Sequence, residues 1–129
     1  MYEEPYKKLI LWKNLCELRS KIFVITAGFK NGNLRLVEQM RAAARSAKQN
    51  FSEGYKLGSL NQFINFCNIS RASLEELSED IEDCMIDKLI NKVEYNDLQG
   101  LAKRTMYLMD RYIKSLHLMK VNNRWKRRK

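Results

Sequence analysis

One spacing constrains this chain more than any other feature. Leu11, Leu15, Leu18, Ile22, Ile25 and Phe29 recur at alternating steps of four and three residues. That alternation places every member on one face of an α-helix and on no single face of a strand. It returns in Leu36, Met40, Ala43, Ala47, Asn50 and Gly54, then in Phe63, Cys67, Ser70, Leu74, Leu77, Ile81 and Cys84. It returns once more in Leu98, Leu101, Thr105, Leu108, Tyr112, Ser115 and Met119. Four amphipathic helices are therefore expected: about residues 6–30, about 34–56, from Ser59 to about Lys88 or Leu89, and about 95–121.

The breakers fall between these segments. Pro5 suits a first helical turn, Asn31-Gly32-Asn33 is a turn signal, and Lys56-Leu57-Gly58 ends the second helix. Ser59-Leu60-Asn61-Gln62 has the pattern of a capping box with Ser59 as N-cap, and Asn91-Lys92 reads as a connection. One Pro and five Gly in 129 residues leave too few turns for a multi-strand β protein. Short connections make neighbouring helices antiparallel, so the expected fold is all-α, an up-down-up-down four-helix bundle over residues 1–121. A basic tail over 122–129 follows it. A long coiled coil would need uninterrupted heptads, which the turn signals forbid.

The middle helices carry small residues on their seams. Ala43, Ala47 and Gly54 on the second, and Cys67 and Ser70 on the third, allow two backbones to approach closely. Asn50 falls on the seam and needs a hydrogen-bond partner there. A polar network of Asn50, Glu53, Arg71 and Glu76 across these helices is expected.

Charge is distributed unevenly. The net charge is +9, from 24 Lys and Arg against 15 Asp and Glu. Six basic residues and no acid lie between 120 and 129: Lys120, Arg124, Lys126, Arg127, Arg128 and Lys129. Such an excess suits a polyanion, nucleic acid above all. Trp125 in the tail is placed to stack on an unpaired base while the cations meet phosphates. On the second helix Arg41, Arg45, Lys48 and Lys56 fall in one arc, on the side opposite its seam. This stripe meets solvent, another subunit or nucleic acid. Seven of the acids lie between Glu75 and Asp87 on the third helix. A basic helix beside an acidic one is complementary head to tail, and head-to-tail contacts close into rings.

Several chemistries lack their residues. His117 is the single histidine, and no carboxylate–histidine metal pair, CxxC, phosphate loop or nucleophile elbow is present. No catalytic residue, metal, cofactor or small-molecule substrate is expected. Cys16, Cys67 and Cys84 are odd in number and sit at apolar positions, as buried reduced thiols do. No apolar run spans a membrane, and the acidic start lacks the pattern of a secretory signal, which points to a cytoplasmic setting.

Residues 39–54, Gln-Met-Arg-Ala-Ala-Ala-Arg-Ser-Ala-Lys-Gln-Asn-Phe-Ser-Glu-Gly, followed by Ser-Arg-Ala-Ser-Leu-Glu-Glu-Leu at 70–77, resemble the bacterial four helix bundle protein family. That family includes proteins encoded by intervening sequences of large-subunit rRNA genes and the accessory variability determinant proteins of diversity-generating retroelements. Its commoner pattern has Ile-Pro-Ala-Asn where this chain has Ala47-Lys48-Gln49-Asn50, so the chain looks most like the branch called four helix bundle suffix. The resemblance covers about residues 9–88 and extends to the last helix in pattern only. It implies a homopentamer shaped as a basic barrel, and no catalysis. For the retroelement group it implies binding of a reverse transcriptase and of template RNA or cDNA in mutagenic retrohoming. The family's basic positions match Arg41, Arg45 and Lys48, and its structural Asn, Glu-Gly and Arg match Asn50, Glu53-Gly54 and Arg71. The alternatives are an rRNA intervening-sequence RNA binder with no polymerase partner, and a purely structural oligomeric module.

Overall fold

A computed structural model describes residues 4–122. Four helices follow one another: α1 (Ile10–Thr26), α2 (Leu34–Leu57), α3 (Leu60–Ile86) and α4 (Lys92–Val121). Each packs mainly on its two neighbours, α1 on α2 and α4, and α3 on α2 and α4, which closes an antiparallel four-helix bundle. No strand occurs among the described residues. No described helix is long and apolar enough to cross a membrane.

The seam of α3 is buried at every expected position, from Phe63 through Cys84. On α1 the seam is buried from Leu11 to Ile22, and Ile25 and Phe29 are half-buried at its end. On α2 Met40, Ala43, Ala47 and Gly54 are buried as expected, and Phe51, beside the seam, is fully buried too. On α4 the expected seam holds through Thr105 and then turns: Met106, Met109 and Leu116 are buried, while Met119 is exposed. An α-helix has 3.6 residues per turn, so a strict 3-4 stripe drifts round the cylinder over a helix this long.

The first helix is shorter than expected. Pro5–Lys8 forms a separate 3₁₀ turn, and Leu9 is extended (ψ 140°) before α1 begins. The break lets Tyr6 fold under the bundle, where it is 3% exposed. Its ring centroid lies 5.0 Å from that of Trp12 and 4.6 Å from that of Tyr55. Phe51, Phe63 and Tyr112 continue this cluster, with centroids 5.4–5.8 Å apart. One end of the bundle is therefore closed by aromatic rings.

The other boundaries are set by caps. Gly58 takes the left-handed conformation (φ 78°) that ends α2, and Ser59 Oγ accepts from Gln62 N to start α3. Helix α3 stops before the expected residue. Lys88 is left-handed (φ 60°), and Lys88 N and Leu89 N donate back to the carbonyls of Met85 and Cys84. Helix α4 begins at Lys92, earlier than expected, because Asn91 and Glu94 form a reciprocal capping box.

The α2–α3 contact depends on Gly54. A Cβ built there would stand 2.6 Å from Phe66 Cβ and 2.9 Å from Phe63 Cδ1. Phe66 Cβ is rigidly attached to its backbone, so the helices themselves would have to part. Gly54→Ala should therefore lower stability by about 1–3 kcal/mol in urea unfolding, although alanine is the better helix former. A variant as stable as the parent would show that the helices separate at no cost.

Among the described residues, Asp80 is the one buried carboxylate. It is 7% exposed, its Oδ1 accepts from Gln39 Nε2 at 2.8 Å, and its Oδ2 is buried with no partner. Burial holds its pKa above the ordinary aspartate value, and Asp83, Glu76 and Glu79 push the same way against the Gln39 hydrogen bond. A carboxyl group with a raised folded pKa favours the fold below its unfolded pKa, and that contribution is lost as pH rises through the folded value. Asp80→Asn keeps the acceptor for Gln39 and removes the charge. It should melt higher than the parent at pH 7, and the difference should close by about pH 3, where Asp80 is protonated in both states. A constant difference across that range would assign the effect to packing.

Candidate nucleic-acid interface

The basic residues of α2 lean over α1. The Arg41 guanidinium carbon lies 4.6 Å from the Phe23 ring centroid, that of Arg45 lies 5.7 Å away, and that of Arg19 on α1 lies 4.6 Å away. One turn further along α2, Lys48 Nζ stands 5.4 Å from the Trp12 ring centroid. Four cations thus follow the α1–α2 groove, ordered by two aromatic rings. A cation over a ring face is held by the ring's quadrupole while its charge stays uncompensated.

Arg41 departs from the expectation of a surface stripe. It is half-buried, its Nε donates to Thr26 Oγ1 at 2.9 Å, and its Nη2 donates to the Phe23 carbonyl at 3.2 Å. It therefore caps the C-terminal turn of α1, where carbonyls lack helical partners and a cation is favoured. Arg45 is exposed and Lys48 half-buried along the same groove. Lys56 is exposed in the last turn of α2, and Lys120 is exposed in the last turn of α4. Arg124, Trp125, Lys126, Arg127, Arg128 and Lys129 lie outside the described residues.

Among the described residues, ion pairs engage two cations. Lys21 meets Asp97 at 2.8 Å and Glu17 at 3.8 Å, and Arg71 meets Asp110 at 2.7 Å and Glu75 at 3.4 Å. Arg19, Arg45 and Lys48 have no carboxylate partner there. The α1–α2 groove accordingly presents cations outside these ion pairs, with flat apolar rings beside them.

The structure does not join the expected network of Asn50, Glu53, Arg71 and Glu76. Asn50 Nδ2 donates to the Ser46 carbonyl at 2.8 Å and to Ser46 Oγ at 3.0 Å, and Ser46 Oγ shares a hydrogen bond with Ser73 Oγ at 2.8 Å. Ser70 Oγ donates to the Ala47 carbonyl at 2.6 Å. Hydroxyls thus link α2 to α3, because helices this close leave room for short polar side chains. Glu53 and Glu76 are exposed, where a carboxylate keeps its hydration. Arg71 instead ties α3 to α4 through Asp110.

Residue-by-residue reading missed Arg19, Phe23 and Trp12 as one surface. The signal was present: Trp12, Cys16, Arg19 and Phe23 step by four, three and four beside the α1 seam. Cys16, on the same stripe, has its pKa raised by burial, against the pull of Lys48, Arg19 and Lys7. Burial pushes the Cys67 and Cys84 thiols up to about 12. All three are protonated at neutral pH and serve as small apolar groups. Among the described residues, no group of three His, Cys, Asp or Glu side chains is placed to hold a metal ion.

Comparison with known proteins gives a family and a fold. The family model described as 23S rRNA-intervening sequence protein matches residues 7–111. The chain is also similar to a protein of unknown function from the S23 ribosomal protein family of Bacteroides thetaiotaomicron, whose crystal structure superposes with a TM-score of 0.75. The two share 18% identity over 81% of this chain and 99% of that one, a likeness of fold. No curated protein matches the sequence. The model match covers the α1–α2 groove, the small-residue contact of α2 with α3 and most of α4. The chain belongs to the 23S rRNA-intervening sequence protein family.

Proposed function

We propose that this bundle binds nucleic acid without catalysing a reaction on it, and that the α1–α2 groove is its contact surface. One observation carries the reading: Arg19, Arg41, Arg45 and Lys48 line a single groove, ordered by Phe23 and Trp12 and paired with no carboxylate among the described residues. Cations held this way meet phosphates without first breaking an ion pair. Arg45 and Lys48 are the primary phosphate contacts, and Arg41 positions the end of α1 from beneath.

The sequence block around Arg41–Gly54 extends this reading to a protein partner. Its likeness to retroelement accessory proteins supports a role beside a reverse transcriptase, with RNA template or cDNA as the nucleic acid and a homo-oligomeric ring, a pentamer, as the working form. The segregation of acid on α3 from base on α2 is compatible with head-to-tail assembly. The family match favours a second reading, an RNA binder with no polymerase partner. A reverse transcriptase gene beside this one, or a reverse transcriptase co-purifying with the protein, separates the two.

Arg45→Glu plus Lys48→Glu tests the shared claim. At about 0.1 M salt the double variant should bind RNA at least tenfold more weakly than the parent by fluorescence anisotropy. Its slope of log K against log salt should be shallower by about 1.4, because two phosphates of a single strand would keep their counterions. Its helical circular dichroism should match the parent's. Unchanged affinity would rule the groove out as the binding surface.

A further inference from the structure

We infer that the chain carries a second nucleic-acid surface, on α4, specialised for unpaired bases. The inference rests on the nucleic-acid reading above and names a different face of the bundle. Lys103, Arg104, Tyr107, Arg111 and Lys114 are exposed along one side of α4, within an arc of about 100° at 100° per residue. Tyr107 is 60% exposed. Arg111 Nη1 donates to Tyr107 Oη at 3.2 Å, and its guanidinium lies 5.7 Å from the ring centroid. The one acid between Lys103 and Lys120 is Asp110, and Arg71 of α3 already holds it at 2.7 Å.

Beside this stripe lies a groove of about 500 Å³ between α4 and the start of α1. It is lined by Ile10, Asn14, Lys103, Arg104, Tyr107 and Leu108. Its apolar wall includes Ile10, which is 67% exposed. The volume admits a nucleobase. Apolar and aromatic surface at the base level, with cations on both sides at the phosphate level, is the arrangement that binds single-stranded nucleic acid through stacking. Phosphates would lie on Lys103, Arg104, Arg111 and Lys114. An extended aromatic partner is needed for that role, and a duplex, whose bases are stacked on each other, cannot supply one. Sequence reading credits the surplus charge to the second helix and the tail, and passes over this stripe because its cations are interleaved with the α4 seam.

Fluorescence anisotropy with a labelled oligouridylate and with a labelled RNA duplex tests the inference. Tyr107→Ala should weaken oligouridylate binding by about 5- to 100-fold and change duplex binding by less than about twofold. Tyr107→Phe should restore it. Lys103→Ala plus Arg104→Ala should reduce the oligouridylate salt slope by about 1.4. Equal loss on duplex and single strand overturns the stacking role. If the parent binds oligouridylate and the Arg45→Glu plus Lys48→Glu variant weakens it while both α4 variants bind like the parent, this surface falls and the α1–α2 groove stands. If the parent binds neither RNA, both fall. If the α4 variants instead dissociate an assembly seen by light scattering, the face is a subunit contact and the inference is overturned.

Discussion

The close approach of α2 and α3 organises this molecule. Gly54 leaves no room for a methyl group against Phe66 and Phe63, and Ala43, Ala47, Cys67 and Ser70 continue the thin interface. Helices in such contact cannot be joined by long charged side chains. Their polar links are short: Ser46 with Ser73, Ser70 with the Ala47 carbonyl and Gln39 with Asp80, while the Asn50 amide turns back to Ser46 on its own helix. At the Gly54 end of the contact Phe51, Phe63 and Tyr112 pack together, and Tyr6 from the leading 3₁₀ turn packs on Phe51 and Tyr55. Small residues along the α2–α3 contact and large rings beside Gly54 are two parts of one packing choice.

That choice also orients the charges. With its small side chains committed to α3, α2 turns Arg41, Arg45 and Lys48 toward α1 and its rings. The acids of α3 lie on the far side of the same pair. Asp80 is drawn into the junction and held by Gln39; burial raises its pKa, and the exposed Asp83, Glu76 and Glu79 push the same way.

Periodicity made the bundle legible because burial of one face is a local, repeating demand on sequence. The α3 seam was readable in full for that reason. What was not readable has a different physical origin in each case. The break at Leu9 answers to Tyr6 packing on residues more than forty positions away, which no local spacing encodes. The α4 start hides in an Asn91–Glu94 pair that also reads as a loop. Arg41 lies at the correct angle on α2, but its partners, Thr26 and the Phe23 carbonyl, belong to a helix terminus whose position depended on where α1 stops. Arg71 was expected in a network with Asn50 and Glu53 of α2, whereas it meets Asp110 of α4, a partner on a helix that the expectation did not include.

The kind of partner each cation has sorts the cations by role. Lys21 and Arg71 meet carboxylates, which cancel their charge and fasten α1 and α3 to α4. Arg19, Arg45 and Lys48 meet rings, and Arg41 meets a ring, a hydroxyl and a carbonyl. On α4, Arg111 meets the ring and hydroxyl of Tyr107. A neutral partner restricts a long side chain and so removes part of the entropy that binding would otherwise cost. It leaves the full charge facing outward. An acidic partner restricts the side chain equally well but must be displaced before a phosphate can bind. Ordering cations by neutral groups is therefore what a preorganised phosphate surface requires, and both flanks of α1 have it.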